Sequence, residues 1–155
     1  MVVGTRPDCL PDHLLDWLEE VSWEKTVYIE PGIEPPSDDV LGAMNRGHTF
    51  EQVREADHRV AGRGLPVGGH FLVGFPGEPW QRFFESVDML NQLPLHSVKM
   101  HQLHVFRNTP LARIYLEDPD SFEVPDKDDY LEVAASWISR LWPDLCIDRV
   151  FEMLR

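Results

Sequence analysis

Short β-branched or aromatic runs take turns with longer stretches of helical spacing along the whole chain, and this alternation constrains the fold most. The strand candidates are residues 2–5, 26–30, 67–74, 97–105 and 145–150. Between them lie helix signals. Pro11 sits in the first turn of a helix with Leu14, Leu18 and Val21 on one face. Ser37 caps a short helix ending at Arg46, with Gly47 just beyond it. Thr49 and Gln52 form a capping box ahead of Val53, Ala56 and Val60, and Gly62 and Gly64 stop that helix. Pro79 opens a helix carrying Phe83, Val87 and Leu90, and Asp126 opens the last, which aligns Tyr130, Val133, Trp137 and Leu141. A repeated βα order predicts an α/β fold with a parallel sheet and right-handed crossovers, open or curved into a barrel.

At 155 residues the chain suits a single domain, 1–155. No apolar run approaches the roughly 20 residues a bilayer span needs, and no signal peptide is visible, so the expectation is a cytoplasmic protein without membrane contact. The balance of 27 acidic to 14 basic residues, a net charge of −13, argues against a basic grip on nucleic acid by this chain itself. Cys9 and Cys146 lie too far apart in sequence to form a metal cluster or a disulfide framework. The first strand begins almost at Met1. The expectation is an open sheet edge there, a chain that is part of something larger, and association through that edge.

Ligands of parallel βα folds bind at the carboxyl ends of the strands. Those ends read Gly4-Thr5-Arg6-Pro7-Asp8, Glu30-Pro31-Gly32-Ile33-Glu34, Gly74-Phe75-Pro76-Gly77-Glu78 and Lys99-Met100-His101-Gln102-Leu103-His104-Val105. Alternation separates Phe71 and Val73 from His70, Leu72 and Gly74, and Val98 and Met100 from Lys99 and His101. The polar set of His70, Lys99 and His101, with Glu30, is expected to face a cavity; a salt-bridged interior without a ligand is the plain alternative. His101 and His104 are three apart, the wrong spacing for a chelating pair on a strand, so no metal ligands are assigned. Gly74 opens a tight turn where a flat ligand can approach the backbone, but no Gly-Lys-Ser/Thr follows to make a phosphate loop.

Taken in order, Gly-Thr-Arg-Pro-Asp-Cys (4–9), Asn-Arg-Gly-His (45–48), Val-Gly-Phe-Pro-Gly-Glu (73–78), Lys-Met-His-Gln-Leu-His-Val (99–105) and Thr-Pro-Leu-Ala (109–112) resemble the radical S-adenosylmethionine (radical SAM) enzymes. The likeness is to the YhcC-type branch, near the Elongator catalytic subunit and oxygen-independent coproporphyrinogen oxidase. It implies a partial (β/α)6 barrel beginning at the third strand, with the iron–sulfur loop Cys-x3-Cys-x2-Cys and the first two strands absent. It also implies that the full enzyme uses S-adenosylmethionine and a [4Fe-4S] cluster to generate a 5′-deoxyadenosyl radical that abstracts hydrogen from an unidentified substrate. Cys9 and Cys146 cannot replace three closely spaced thiolates, so the chain alone is not expected to cleave S-adenosylmethionine.

By the same resemblance, Arg46 pairs with the carboxylate of S-adenosylmethionine, and Glu34 falls where relatives carry a glutamine on the ribose hydroxyls. Gly74, Phe75 and Pro76, with His104 and Val105, flank the adenine. Glu30, His70, Lys99 and His101 face the substrate or the methionine end. RNA could be gripped only through regions outside the chain. Two departures stand out: Pro31 replaces a usual leucine in the second strand, and the chain stops at 151–155 where relatives continue. The rival readings are a non-enzymatic remnant binding a nucleoside or partner protein, and a metal-dependent barrel hydrolase using Glu30, His70 and His101.

Overall fold

The computed structural model describes residues 1–122 and 126–150, apart from the Lys127 side chain. The elements are β1 (Val2–Thr5), α1 (Asp12–Ser22), β2 (Tyr28–Pro31), α2 (Asp38–Ala43), α3 (Phe50–Ala61), β3 (Gly68–Val73), α4 (Trp80–Leu90), β4 (Ser97–Gln102), α5 (Pro110–Glu117), α6 (Lys127–Ile138) and β5 (Cys146–Arg149). All strand pairings are parallel, as the βα order requires. No helix among the described residues is long and apolar enough to cross a membrane.

The start signals act as expected. Thr49 Oγ1 accepts from Gln52 N while Gln52 Oε1 accepts from Thr49 N, closing the capping box of α3. Asp126 accepts from Asp128 N and Asp129 N at the head of α6. Ser37 differs: its side chain caps nothing, and α2 ends at Ala43, three residues before Arg46. β4 ends at Gln102, so residues 103–105 leave the sheet. α5 is a helix absent from the signals read in the sequence; Thr109 caps it, accepting from Ala112 N, with Pro110 at its first position. The sequence features at 123–125 and 151–155 lie outside the described residues.

The strands form two ladders, β1-β2 and β3-β4-β5, and among the described residues their backbones are joined by the isolated bridges Ile29–Val67 and Gly32–His70. Pro31 explains the seam. Ile29 N donates to Pro66 O and Ile33 N to His70 O, so the residue between them should donate to β3, and proline has no N–H.

One face of the sheet carries the core. Phe71, Val73, Val98 and Met100 pack against Phe83, Val87 and Leu90 of α4 and Tyr130 and Trp137 of α6. Phe71 stacks on Trp137 with ring centroids 5.3 Å apart. A second cluster joins Leu15 and Leu18 of α1, Val60 of α3, and Ile29 and Val67. The other face carries Glu30, His70, Lys99 and His101. β1 pairs with β2 alone, which leaves its far edge unpaired among the described residues.

Candidate functional site

Three adjacent strands bring the polar inner face together. Glu30 Oε2 lies 2.9 Å from His70 Nε2, and Lys99 Nζ donates to Glu30 Oε1 at 2.5 Å. The His70 and His101 rings stack with centroids 5.3 Å apart. β2 and β4 are separated by β3, so Glu30 must cross one strand to reach Lys99. Gly68 permits that crossing: a Cβ there would come within 3.1 Å of both Glu30 Cγ and Ser97 Oγ. Burial pushes the Glu30 carboxyl upward, but hydrogen bonds from His70 and Lys99 outweigh it and hold the group below its ordinary range. Glu30 is therefore a carboxylate with both oxygens engaged.

A second polar pair stands at the carboxyl end of the strands. The chain leaves β2 through Ile33 and Glu34, whose backbone N–H groups both donate to His70 O at 3.0 Å. Glu34 has φ +58°, a left-handed conformation a non-glycine residue rarely adopts, and this turns its side chain toward Arg46. Arg46 Nη2 donates to Glu34 Oε1. Gly32 leaves them room, since its absent Cβ would lie 3.1 Å from Glu34 Oε1.

This pair borders a hollow of about 370 Å3. Leu72, Phe75, Leu103, Leu111 and Ile114 supply its apolar lining. Glu34 is only 5% exposed, and desolvation raises its pKa despite the Arg46 charge. Glu34 Oε2 and Arg46 Nε are buried without a hydrogen-bond partner. An apolar hollow edged by an unsatisfied acceptor and an unsatisfied donor is a candidate binding site, since an unmatched buried polar atom costs about 1–3 kcal/mol.

The residues singled out from sequence divide. Glu34, Arg46 and Phe75 line this hollow. Gly74, with φ +98°, turns the chain above it, and Pro76 bridges to Phe122. Glu30, His70, Lys99 and His101 form the separate inner cluster. Val105 instead lines a neighbouring hollow of about 390 Å3 with Arg107, Ala112, Tyr115 and Leu116, and His104 lies beside Phe106. Sequence reasoning missed the apolar lining Leu72, Leu103, Leu111 and Ile114. The cap-plus-proline pair Thr109-Pro110 was the signal that would have put α5 there. It also missed two buried carboxyls without partners, Asp57 on α3 and Glu78 ahead of α4, each pushed by burial to about 7.

The donor set can be compared with the two cofactors. The orphan atoms and apolar lining fit the adenosyl and amino-acid parts of S-adenosylmethionine. A [4Fe-4S] cluster does not fit: Cys9 and Cys146 are exposed and distant in the fold, after β1 and at the start of β5. Among the described residues no group of three His, Cys, Asp or Glu is placed to hold a metal.

The fold is a parallel βα scaffold with polar side chains gathered on one sheet face and at the strand ends. The profile of the Radical SAM superfamily matches residues 2–90, and that of the Radical_SAM C-terminal domain matches 95–153. The chain belongs to the radical SAM superfamily. Similar proteins include Uncharacterized protein MJ0486 of Methanocaldococcus jannaschii, 31% identical over 149 residues, covering 96% of this chain and 46% of the relative. Protein YhcC of Escherichia coli K12 is 29% identical over 151 residues, covering 97% of this chain and 48% of its own length. The chain thus spans about half the length of the curated relatives it matches. Among solved structures, an archaeal Elp3 of Methanocaldococcus infernus aligns with TM-score 0.81 at 19% identity, over 99% of this chain and 35% of that one. The radical S-adenosylmethionine methyltransferase TsrM of Kitasatospora setae aligns at TM-score 0.71 and 14% identity, covering 94% and 37%. These likenesses establish an α/β fold that is a part of a radical SAM barrel.

Proposed function

We propose that this chain is the C-terminal part of a radical SAM enzyme, holding S-adenosylmethionine in the Glu34–Arg46 hollow while cluster ligands come from outside the chain. The observation that carries the reading is the buried pair of unsatisfied atoms, Glu34 Oε2 and Arg46 Nε, at the edge of the apolar hollow. When bound, S-adenosylmethionine supplies the adenosyl group for hydrogen abstraction. Arg46 gives the ligand carboxylate a charged donor, and Glu34 accepts from the ribose hydroxyls. Leu72, Phe75 and Leu103 shield the adenine from water, with Gly74 and Pro76 setting the turn above it. His104 and Val105 stand outside this hollow, so no adenine contact is assigned to them. Glu30, His70, Lys99 and His101 face the substrate, and the fixed Glu30 carboxylate is their anchor.

The rest of the barrel has a place to join. β1 offers an unpaired parallel edge. On α1, Asp12 and Asp16 bond Arg59 of α3 and Arg63 in the turn just after it, which fixes the α3 side of that helix. At 100° per residue, Trp17 points to the opposite flank, where it is 53% exposed, while Leu14 and Val21 pack partly against the core. A βα unit entering parallel to β1 would set its helix against that flank.

The test is to express the chain with its upstream coding sequence, reconstitute it with iron and sulfide, and add S-adenosylmethionine and a reductant. The expected result is cluster absorbance and 5′-deoxyadenosine. Their absence in a folded, iron-loaded sample would overturn the reading in favour of a non-enzymatic remnant.

A further inference from the structure

Two motifs remain without a task in that reading, Arg6-Pro7-Asp8 after β1 and Gly47-His48 after Arg46, and the fold brings them together. Arg6 is gripped by Asp8 at both ends of its guanidinium: Nε donates to Oδ1 at 2.9 Å and Nη2 to Oδ2 at 2.7 Å. The gripped guanidinium lies over Gly47, so close that a Cβ there would be 3.0 Å from Arg6 Nη2. Gly47 has φ +73° and Asn45 φ +51°, so Arg46 stands between two left-handed residues in a turn that few sequences hold unaided. On the other side, His48 is 6% exposed and its Nδ1 lies 3.3 Å from the Arg46 carbonyl oxygen. Its Nε2 is buried without a partner.

A carbonyl can only accept, so Nδ1 carries the proton and Nε2 is the bare nitrogen. We propose that Arg6, Asp8 and His48 form a clamp that positions Arg46: Arg6–Asp8 presses on Gly47 from above, and neutral His48 ties down the Arg46 carbonyl. These are positioning residues, and the inference rests on the reading that Arg46 meets the anionic part of the ligand. It adds a regulation to that site. The charged groups that act on His48 are Arg46, Arg6 and Asp8, and burial already disfavours its protonated form. A proton on Nε2 would meet no acceptor and would set a third cation beside two arginines. The clamp is therefore a neutral-pH device that loosens in acid.

The experiment uses the chain with Arg6→Gln, His48→Gln and His48→Asn. The asparagine amide reaches the position of Nδ1 and can still donate to the Arg46 carbonyl; the glutamine amide reaches the position of Nε2 and cannot. The first readout is hydrogen exchange at Arg46 Nε–H by nuclear magnetic resonance, with Arg54 and Arg63, both in ion pairs elsewhere, as controls for global unfolding. Expected is exchange about tenfold faster in Arg6→Gln and His48→Gln, the size of one lost hydrogen bond, with His48→Asn near wild type. Equal exchange in all four proteins, or equal acceleration in His48→Asn and His48→Gln, would overturn the clamp.

The second readout is calorimetric affinity for S-adenosylmethionine in the reconstituted extended protein, between pH 7.5 and 5.5. Wild type should weaken toward acid and His48→Asn should not; a wild-type affinity that ignores pH overturns the regulatory part. If the extended wild type binds no S-adenosylmethionine, the functional reading fails, while the exchange data still decide the clamp. Arg6 is half exposed, so its variant remains informative if substitution at His48 prevents folding.

Discussion

At the residue scale, Glu30 is a buried carboxylate held charged by its partners, while Asp57 and Glu78 are buried without any. Glu30 has two cationic or histidine partners, and removing it would leave Lys99 buried beside an empty position. Glu30→Leu should therefore destabilise by about 3 kcal/mol, whereas Glu30→Leu combined with Lys99→Met should recover most of the loss; urea melts of the two variants check this. Asp57 and Glu78 behave in the opposite sense. Their folded pKa values, raised to about 7, exceed their ordinary values near 4. Between about pH 4 and 7 the folded state thus holds more protons than the unfolded, and stability falls as pH rises through that window. Asp57→Asn and Glu78→Gln should each raise the melting temperature at pH 8 and change it little at pH 4.5, measured by scanning calorimetry. The polar inner face was legible because period-two alternation places Glu30, His70, Lys99 and His101 by parity alone. Asp57 and Glu78 were not, because neither the period of α3 nor the turn ahead of α4 says which acid tertiary packing will bury.

At the scale of elements, the seam between the two ladders follows from one missing proton. Pro31 interrupts donation from β2 to β3, between the bonds made by Ile29 and Ile33. Pro31→Leu should restore that donor and stabilise the chain by about 1 kcal/mol, with slowed amide exchange at residues 29–33 and 67–70. An unchanged exchange pattern would mean that local twist, and not the proline, keeps the ladders apart. Helix starts were readable where a cap and a turn residue coincide, as at Thr49 and Asp126. The end of β4 was not: after Gln102 the alternation resumes one residue out of phase as Leu103-His104-Val105, which still reads as strand, yet the strand stops at Gln102 and Leu103 lines the hollow. Local pattern records which face a residue prefers, not where tertiary contacts end a strand. The hollow suffered for the same reason, since its lining comes from β3, the loops after β3 and β4, and α5, which no single periodic segment unites.

At the scale of the whole molecule, two observations converge on one surface. Among the described residues β1 has a free edge, and α1, the helix that follows it, exposes Trp17; an isolated chain gains nothing from either. Both are what a parallel βα unit would cover, and the curated relatives are about twice as long as this chain. Trp17 discriminates between a docking flank and a chance exposure. It is more than half exposed, so Trp17→Arg should leave the melting temperature of the isolated chain within about 1 °C. In the extended protein, the same substitution should place a charge in a closed interface and lower the melting temperature by several degrees, with loss of cluster retention during gel filtration. If both proteins lose stability equally, Trp17 belongs to the fold of this chain; if neither changes, the rest of the barrel joins elsewhere. Only loss confined to the extended protein marks the α1 flank as the seam at which the barrel closes.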